Sequence, residues 1–361
     1  MFQQFSSQDI IPNQQETITR ALFSNNVGSL TTFFTSSAQT ATQKTYYYEL
    51  FNSASTAPTA EAQFAIAYGH RFGSGSANDG GQVNDTPTRA IYSQYKQLLL
   101  DPEVNAFTVD GRTLNSIYVV NFNRARLRDG LDEGNVEFNL HHLSGSEFIA
   151  GVGSMATHTG SNVTLSPSAQ AIRLIDDSKV TTATLTTAGE VYNIVSGTIE
   201  NGIYNSADPV YYGKLYPRLG VAVLDGDFLD ASASFGTVTS QGVAGDNAYK
   251  LFTSISGSAA NLTDGSGDAL GLAARSKEFV KSTHYFVRAR AGQYNFSNNP
   301  TFVTGSDGDL AISTFINDPK TYITTVGLYD QNKNLVAVAK ASKPIQKSFR
   351  KETLIEVKLD Y

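Results

Sequence analysis

The chain has 361 residues, of which 40% are hydrophobic and 11% aromatic, enough to bury a core and to exclude wholesale disorder. Only 17% are charged, below the roughly 25% of an average soluble protein, and the net charge of −6 opposes a general nucleic-acid binder, which needs a basic surface to displace counterions. Cysteine is absent, which excludes disulfide frameworks, thiolate metal sites and a cysteine nucleophile.

The start, Met1 to Ser6, has no basic stretch followed by an apolar run and does not read as a signal peptide. No run of about 18 apolar residues occurs, so no membrane insertion is expected and the product reads as soluble where it is made. Residues 1–60 are polar and poor in charge, with a short helix expected over Glu16–Phe23 and a Thr/Ser/Ala/Gln tract over Thr31–Thr45. Their aromatics, among them Phe2, Phe5, Phe33 and Phe34, are too many for a free tail. This segment reads as an arm that packs on its own core or on a neighbouring subunit.

Phe64–Gly69 reads as an apolar strand and Gly73–Asn84 as a loop. The best helix follows, over 87–100. Thr86 is placed to cap it, and Pro87 takes the first helical position, where its missing N–H costs nothing. Ile91, Tyr95, Leu98 and Leu99 are assigned to its core stripe, and Asp101-Pro102 stops it.

From Ser116 the period drops to two. Ile117–Phe122 is a buried-type strand running into Asn123, after which Arg124, Arg126 and Arg128 alternate and are expected to share one strand face. Val136–Leu140, Ala171–Ile175, Glu190–Ser196 and Leu219–Leu224 are further strands. Ala231–Ala274 is rich in Ser, Gly, Ala, Thr and Asn and reads as surface loops or a small insertion. His284–Ala291 is a strand. Tyr322–Tyr329 and Leu335–Ala341 form a hairpin across Asp330–Asn334, and Thr353–Leu359 closes the chain.

The search for chemistry is nearly empty. Neither a phosphate-binding G-x-x-x-x-G-K-[S/T] loop nor a G-x-S-x-G nucleophile elbow is present, and Gly265–Gly271 misses the dinucleotide fingerprint by one residue. Of the histidines His70, His141, His142, His158 and His284, the adjacent pair 141/142 would point to opposite faces of a strand, so a zinc site is poorly supported. The acidic pairs Asp225/Asp227, Asp264/Asp268 and Asp307/Asp309 sit in Gly-rich turns and read as Asx turns rather than calcium loops. A two-carboxylate glycosidase takes its partners from any separation in the chain, and nothing in the pattern specifically supports one. No catalytic residue, metal or cofactor is therefore expected. The arginine row reads either as a solvated strand face or as a strip that pairs with carboxylates of a neighbouring subunit.

Several segments together resemble tail-assembly proteins of contractile-tailed phages related to the T-even type. They are Phe64–Ser76, Thr88–Leu100, Ile117–Arg126, Asp132–Asn135, Leu174–Ser178, Tyr192–Gly197, Tyr322–Asp330, Leu335–Lys340 and Val357–Tyr361. The resemblance touches most of residues 60–200 and 280–361 but not 231–274. It implies a virion structural protein, with the baseplate wedge as its place and a dimer within that wedge. The implied partners are other tail and baseplate proteins. It implies a tail location after assembly in the host cytoplasm, and it carries no catalytic residues.

The expected fold is mainly β, in two β-rich portions (sandwich- or barrel-like) with one clear amphipathic helix and an extended N-terminal arm. Residues 1–60 form the arm, 61–230 a β-rich domain with helix 87–100, 231–275 a loop-rich insertion and 276–361 a C-terminal β domain. The expected function is that of a structural tail subunit acting through protein–protein contacts, not an enzyme. Arg124, Arg126, Arg128, Phe2, Phe5, Phe33 and Phe34 are its candidate contact residues; aromatics and Arg are usual interface anchors, and the chain has 18 Tyr and 21 Phe. The alternatives are a glycan-binding or fibre-attachment adhesion module, disfavoured by the absence of Trp, a neck structural protein and, last, an envelope-degrading hydrolase.

Overall fold

The computed structural model describes residues 3–22, 34–35, 47–51, 58–75, 86–140, 172–233, 235, 247–248, 250–252, 254–255 and 271–361. Strand residues make up 49% and helical residues 13%, so the molecule is mainly β. The chain divides into two units, residues 18–278 and residues 1–17 with 279–361.

In chain order the elements begin with β1 (Ile10–Ala21), β2 (Phe34–Thr35), β3 (Tyr47–Phe51), β4 (Ala62–His70), α1 (Pro87–Leu99), β5 (Thr108–Val109), β6 (Arg112–Thr113) and β7 (Ser116–Phe122). Next come β8 (Gly130–Leu131), β9 (Glu137–Leu140), β10 (Ile172–Asp176), β11 (Thr184–Thr186), β12 (Gly189–Thr198), β13 (Gly202–Ile203), β14 (Tyr211–Tyr216), β15 (Val221–Asp225) and α2 (Gly226–Ser232). The last are β16 (Leu272–Ala273), β17 (Arg275–Ala289), β18 (Val303–Thr304), β19 (Asp309–Leu310), β20 (Thr321–Tyr329), β21 (Leu335–Lys347) and β22 (Thr353–Asp360).

In the larger unit one antiparallel sheet runs in the order β16-β9-β10-β12-β14-β15-β7-β4-β3-β2, with β11 and β13 paired to β12, and it curls into a half-barrel. Its centre is β7, flanked by β15 and β4. Tyr118, Val120 and Phe122 of β7 point into one core cluster with Phe64, Tyr68 and Leu224. Ile117 and Val119 point into a second, with Tyr92, Phe107, Val221 and Val223. Both faces are covered, which is why the β7 sequence is a continuous apolar run rather than an alternation.

Helix α1 lies against β4, and the approach is close. A Cβ on Gly69 would sit 2.9 Å from the Tyr92 backbone nitrogen, so only glycine fits there. Tyr92 donates its hydroxyl to the Leu114 carbonyl (2.8 Å), accepts from the Phe107 N–H (3.2 Å) and meets the Phe107 ring edge-on at 5.5 Å. The stripe expected on this helix is rotated. Its buried residues are Pro87, Thr88, Tyr92 and Leu99, whereas Leu98 is exposed and Ile91 and Tyr95 are half-buried. Leu98 and Leu99 are about 100° apart on a helix, so the two do not share one narrow stripe. Thr86 has the extended backbone of a cap but makes no side-chain capping bond, and Leu100 follows the helix as its C-cap.

The structure differs from the expectations at further points. The helix expected from Glu16 is absent: residues 10–21 are strand β1, whose β-branched Thr17, Ile18 and Thr19 favour an extended chain once β17 is available to pair with it. Residues 124–128 do not continue β7. The strand ends at Phe122, the Asn123 side chain bonds the Ala62 carbonyl (2.8 Å) and accepts from the Ala125 N–H (3.1 Å), and Arg124–Arg126 form a 3-10 turn, so the three arginines share no strand face. Within 231–275, read as surface loops or a small insertion, Phe235, Ala248, Leu251, Ile255, Leu272 and Ala274 belong to the first core cluster. The segment read as one N-terminal arm is shared between the units, because residues 3–17 lie with 279–361 while β3 pairs with β4 in the main sheet.

In the smaller unit β22 pairs antiparallel with β17 from Ser282↔Asp360 to Ala289↔Thr353, and β1 lies on the other side of β17. The expected hairpin is present as β20 and β21, a two-stranded sheet of its own. Its turn is tied by Asp330, whose carboxylate accepts from the Asn334 N–H (2.7 Å) and side-chain amide (2.9 Å). At the far end of the ribbon the fully buried Lys347 donates to the carbonyls of Ala291 and Ser348 (2.9 Å each) and to Asn295 Oδ1 (3.1 Å). A buried ammonium is tolerated only with its donors satisfied in this way.

Candidate functional site

The three arginines of the expected contact set do not act together. Arg126 is half-buried and used within the larger unit: it pairs with Glu61 (3.0 Å) and also donates to Gln63 Oε1 and the Leu22 carbonyl. Arg128 stands 4.0 Å from Glu278, and Arg124 is exposed. Phe5 packs on Tyr285 with ring centroids 5.5 Å apart in the smaller unit. Phe34 lies opposite Phe51 in β2, while Phe2 and Phe33 lie outside the described residues.

Among the described histidines and acidic pairs, His70 and Asp225 serve local structure. His70 Nδ1 accepts from the N–H groups of Phe72 (3.1 Å) and Ser74 (3.2 Å), and burial pulls its imidazole below the ordinary range against the opposing charge of Asp227. His141, His142, His158, Asp264 and Asp268 lie outside the described residues. Asp225 is the N-cap of α2, accepting from the Phe228 N–H (3.2 Å), as its turn pattern implies. Asp307 and Asp309 are exposed. In the Asp176-Asp177-Ser178 segment, Asp176 accepts from the Gly134 N–H (2.8 and 2.9 Å), and Asp177 holds the Asn193 N–H (2.9 Å) and side-chain amide (2.8 Å). Among the described residues no group of three or more His, Cys, Asp or Glu side chains is placed to hold a metal ion.

Two constellations were not legible in the sequence. The first is a buried polar cluster under α2. Tyr68 and Tyr118 face each other across β4 and β7 with rings 5.2 Å apart. Among the described residues Tyr118 Oη and Asp230 Oδ1 are buried without a hydrogen-bond partner. Burial raises the Asp230 carboxyl to about 7, with Lys250 opposing the rise and Asp227 and Asp225 adding to it. Burial also pushes the Tyr118 phenol well up, helped by Asp230. Arg112 stands over the Phe228 ring at 4.2 Å and 3.7 Å from Asp225, and donates to the Tyr211 carbonyl (2.7 Å).

The second is a line of side chains in the smaller unit. Ser282 Oγ is 3.4 Å from His284 Nε2, and His284 Nδ1 is 2.5 Å from Glu356. The residue types are those of a hydrolytic triad. Ser282 is fully buried, however, and its Oγ also lies 3.4 Å from the Gln14 carbonyl, so the hydroxyl is not presented to a substrate.

One face of the β20–β21 ribbon is open to solvent. Val326, Leu328, Ala337 and Ala339 share the covered face, whereas Thr325, Gly327, Val336, Val338 and Lys340 share the bare one. Leu335, Val336 and Val338 are 54%, 65% and 58% exposed. A Cβ on Gly327 would lie 3.0 Å from the Tyr329 ring and 3.3 Å from Leu335 Cδ1, so those two side chains fold over the glycine and join Val338 opposite it in one apolar patch. Lys333 and Lys340 border it. No family model, curated protein or solved structure matches the chain.

Proposed function

We propose that the chain is a structural subunit of a contractile phage tail, with the baseplate wedge as its place, working through protein–protein contacts. The observation that carries this reading is the bare apolar face of the β20–β21 ribbon. An isolated two-stranded ribbon is marginal in water, and an exposed apolar strand pair invites association, so natural proteins blunt or cover such surfaces. Tyr329, Leu335, Val336 and Val338 side by side fit the apolar centre of an interface, and the lysines fit its polar rim. The resemblance to tail-assembly proteins covers both strands of this hairpin.

The test is incorporation. Particles assembled with the Val336→Asp/Val338→Asp variant are expected to lack the chain or to stall before tail completion, although the purified variant folds. Immunogold labelling of wild-type particles is expected at the baseplate. Normal assembly of the variant would remove the support the ribbon gives.

A further inference from the structure

We infer that the apolar tip of the β20–β21 ribbon docks on a second copy of this chain, at an acidic-rimmed apolar patch where the end of α1 meets the β11–β12 turn. The inference rests on the assembly reading above and names the partner.

The receiving patch is built by the larger unit. Leu98, on the outer side of α1, and Val104, just beyond it, are both exposed. Asp101 ties this end of the helix to the neighbouring turn by accepting from the Thr187 N–H at 3.2 Å. On the β11–β12 hairpin Leu185 is 78% exposed and lies directly opposite Glu190. Glu103 and Glu190 are exposed as well; Asp101 and Glu103 neighbour Leu98 and Val104 along the chain, and Glu190 neighbours Leu185 across the hairpin. Arg218, packed along Gly189, lies at its margin.

The ribbon tip carries the opposite pattern. Tyr329, Leu335, Val336 and Val338 are its apolar centre, bordered by Lys333 and Lys340, while the one carboxylate of the turn, Asp330, is taken up by Asn334. The same asymmetry runs through the whole chain. Residues 18–278 hold 16 Lys and Arg against 24 Asp and Glu, while residues 1–17 and 279–361 hold 11 against 9. An apolar centre with a basic rim on one unit and its acidic counterpart on the other make two copies complementary, and opposite rims fix register and speed encounter. Because ribbon and patch are different surfaces, the contact forms twice in a two-fold dimer or once per neighbour in a ring.

Sedimentation velocity at low and high salt tests this on the full chain. The wild type is expected to self-associate, and to do so more weakly as salt rises. Lys333→Glu/Lys340→Glu and Glu103→Lys/Glu190→Lys are each expected to weaken self-association roughly a hundredfold, since each sets like charges face to face. An equimolar mixture of the two variants is expected to associate again, because each then meets an opposite rim. Unchanged circular dichroism and melting temperature show that both variants fold. A wild type that stays monomeric, charge reversals without effect, or a mixture that stays dissociated would each overturn the inference. The assembly reading fails separately: it falls if the ribbon variant enters particles normally, and it stands if a monomeric chain needs its ribbon to enter them.

Discussion

Strand β7 and strand β21 are built from the same kinds of residue and live in opposite surroundings. Ile117 to Val120 of β7 have α1 on one side and α2 with Phe235 and Leu251 on the other. Leu335, Val336 and Val338 of β21 have neighbours on one face of a two-stranded ribbon and solvent on the other. Apolar, β-branched sequence thus specifies a strand without specifying what covers it. A strand covered by its own chain holds the fold, and one left bare is available to another molecule.

The sharpest way to break that comparison is to place the same charge in both strands. Val119→Asp, fully buried in β7, is expected to cost more than about 4 kcal/mol and to abolish cooperative unfolding by heat. Arg126→Ala comes next, at about 2 kcal/mol in urea unfolding, because it leaves Gln63 and the Leu22 carbonyl without their charged donor. Arg124→Ala, on the same turn but exposed, is its neutral control.

Asp230 gives a smaller, pH-dependent effect. Its folded-state carboxyl titrates at about 7, above the unfolded value near 4, so its ionisation opposes folding. Its favourable contribution is complete below about pH 4 and is lost as pH rises through about 7. Asp230→Asn is expected to flatten the fall in melting temperature between pH 5 and 8 and to add about 1 kcal/mol at pH 8, after allowing for partial solvation of the site. A pH profile identical to wild type would contradict the buried-carboxyl account. Val338→Asp alone, on the bare face, is expected to change the stability of the isolated chain by less than about 0.5 kcal/mol.

Much of the β framework was legible because it is local. The continuous apolar runs of β7 and β15 and the closing strand β22 lie within a residue or two of their expected bounds, and the hairpin turns at Asp330–Asn334 as expected, although β21 runs on past the expected Ala341 to Lys347. What was not legible depends on partners far along the chain. The α1 stripe is rotated because Gly69 offers Tyr92 a close seat, a fact of β4 and not of the helix. The arginine row is broken by a turn that Asn123 stabilises through Ala62. Residues 16–21 turn to strand because β17 lies beside them, more than 250 residues away. The cluster around Asp230 joins residues 68, 118, 230 and 250, and no spacing rule connects positions so far apart. The bare face of the ribbon needed the register of both strands and the exposure of each side chain.

The chain contains no cysteine, so a single engineered thiol reports on one position alone. Maleimide labelling of Val338→Cys, in the free chain and in assembled particles, tests directly whether the ribbon face is an interface, with exposed Asn201→Cys as the reference. The ribbon thiol is expected to react readily in the free chain and at least about tenfold more slowly in particles, as an apolar interface excludes water and reagent. Equal labelling in both states, with the reference thiol unchanged, would contradict the account.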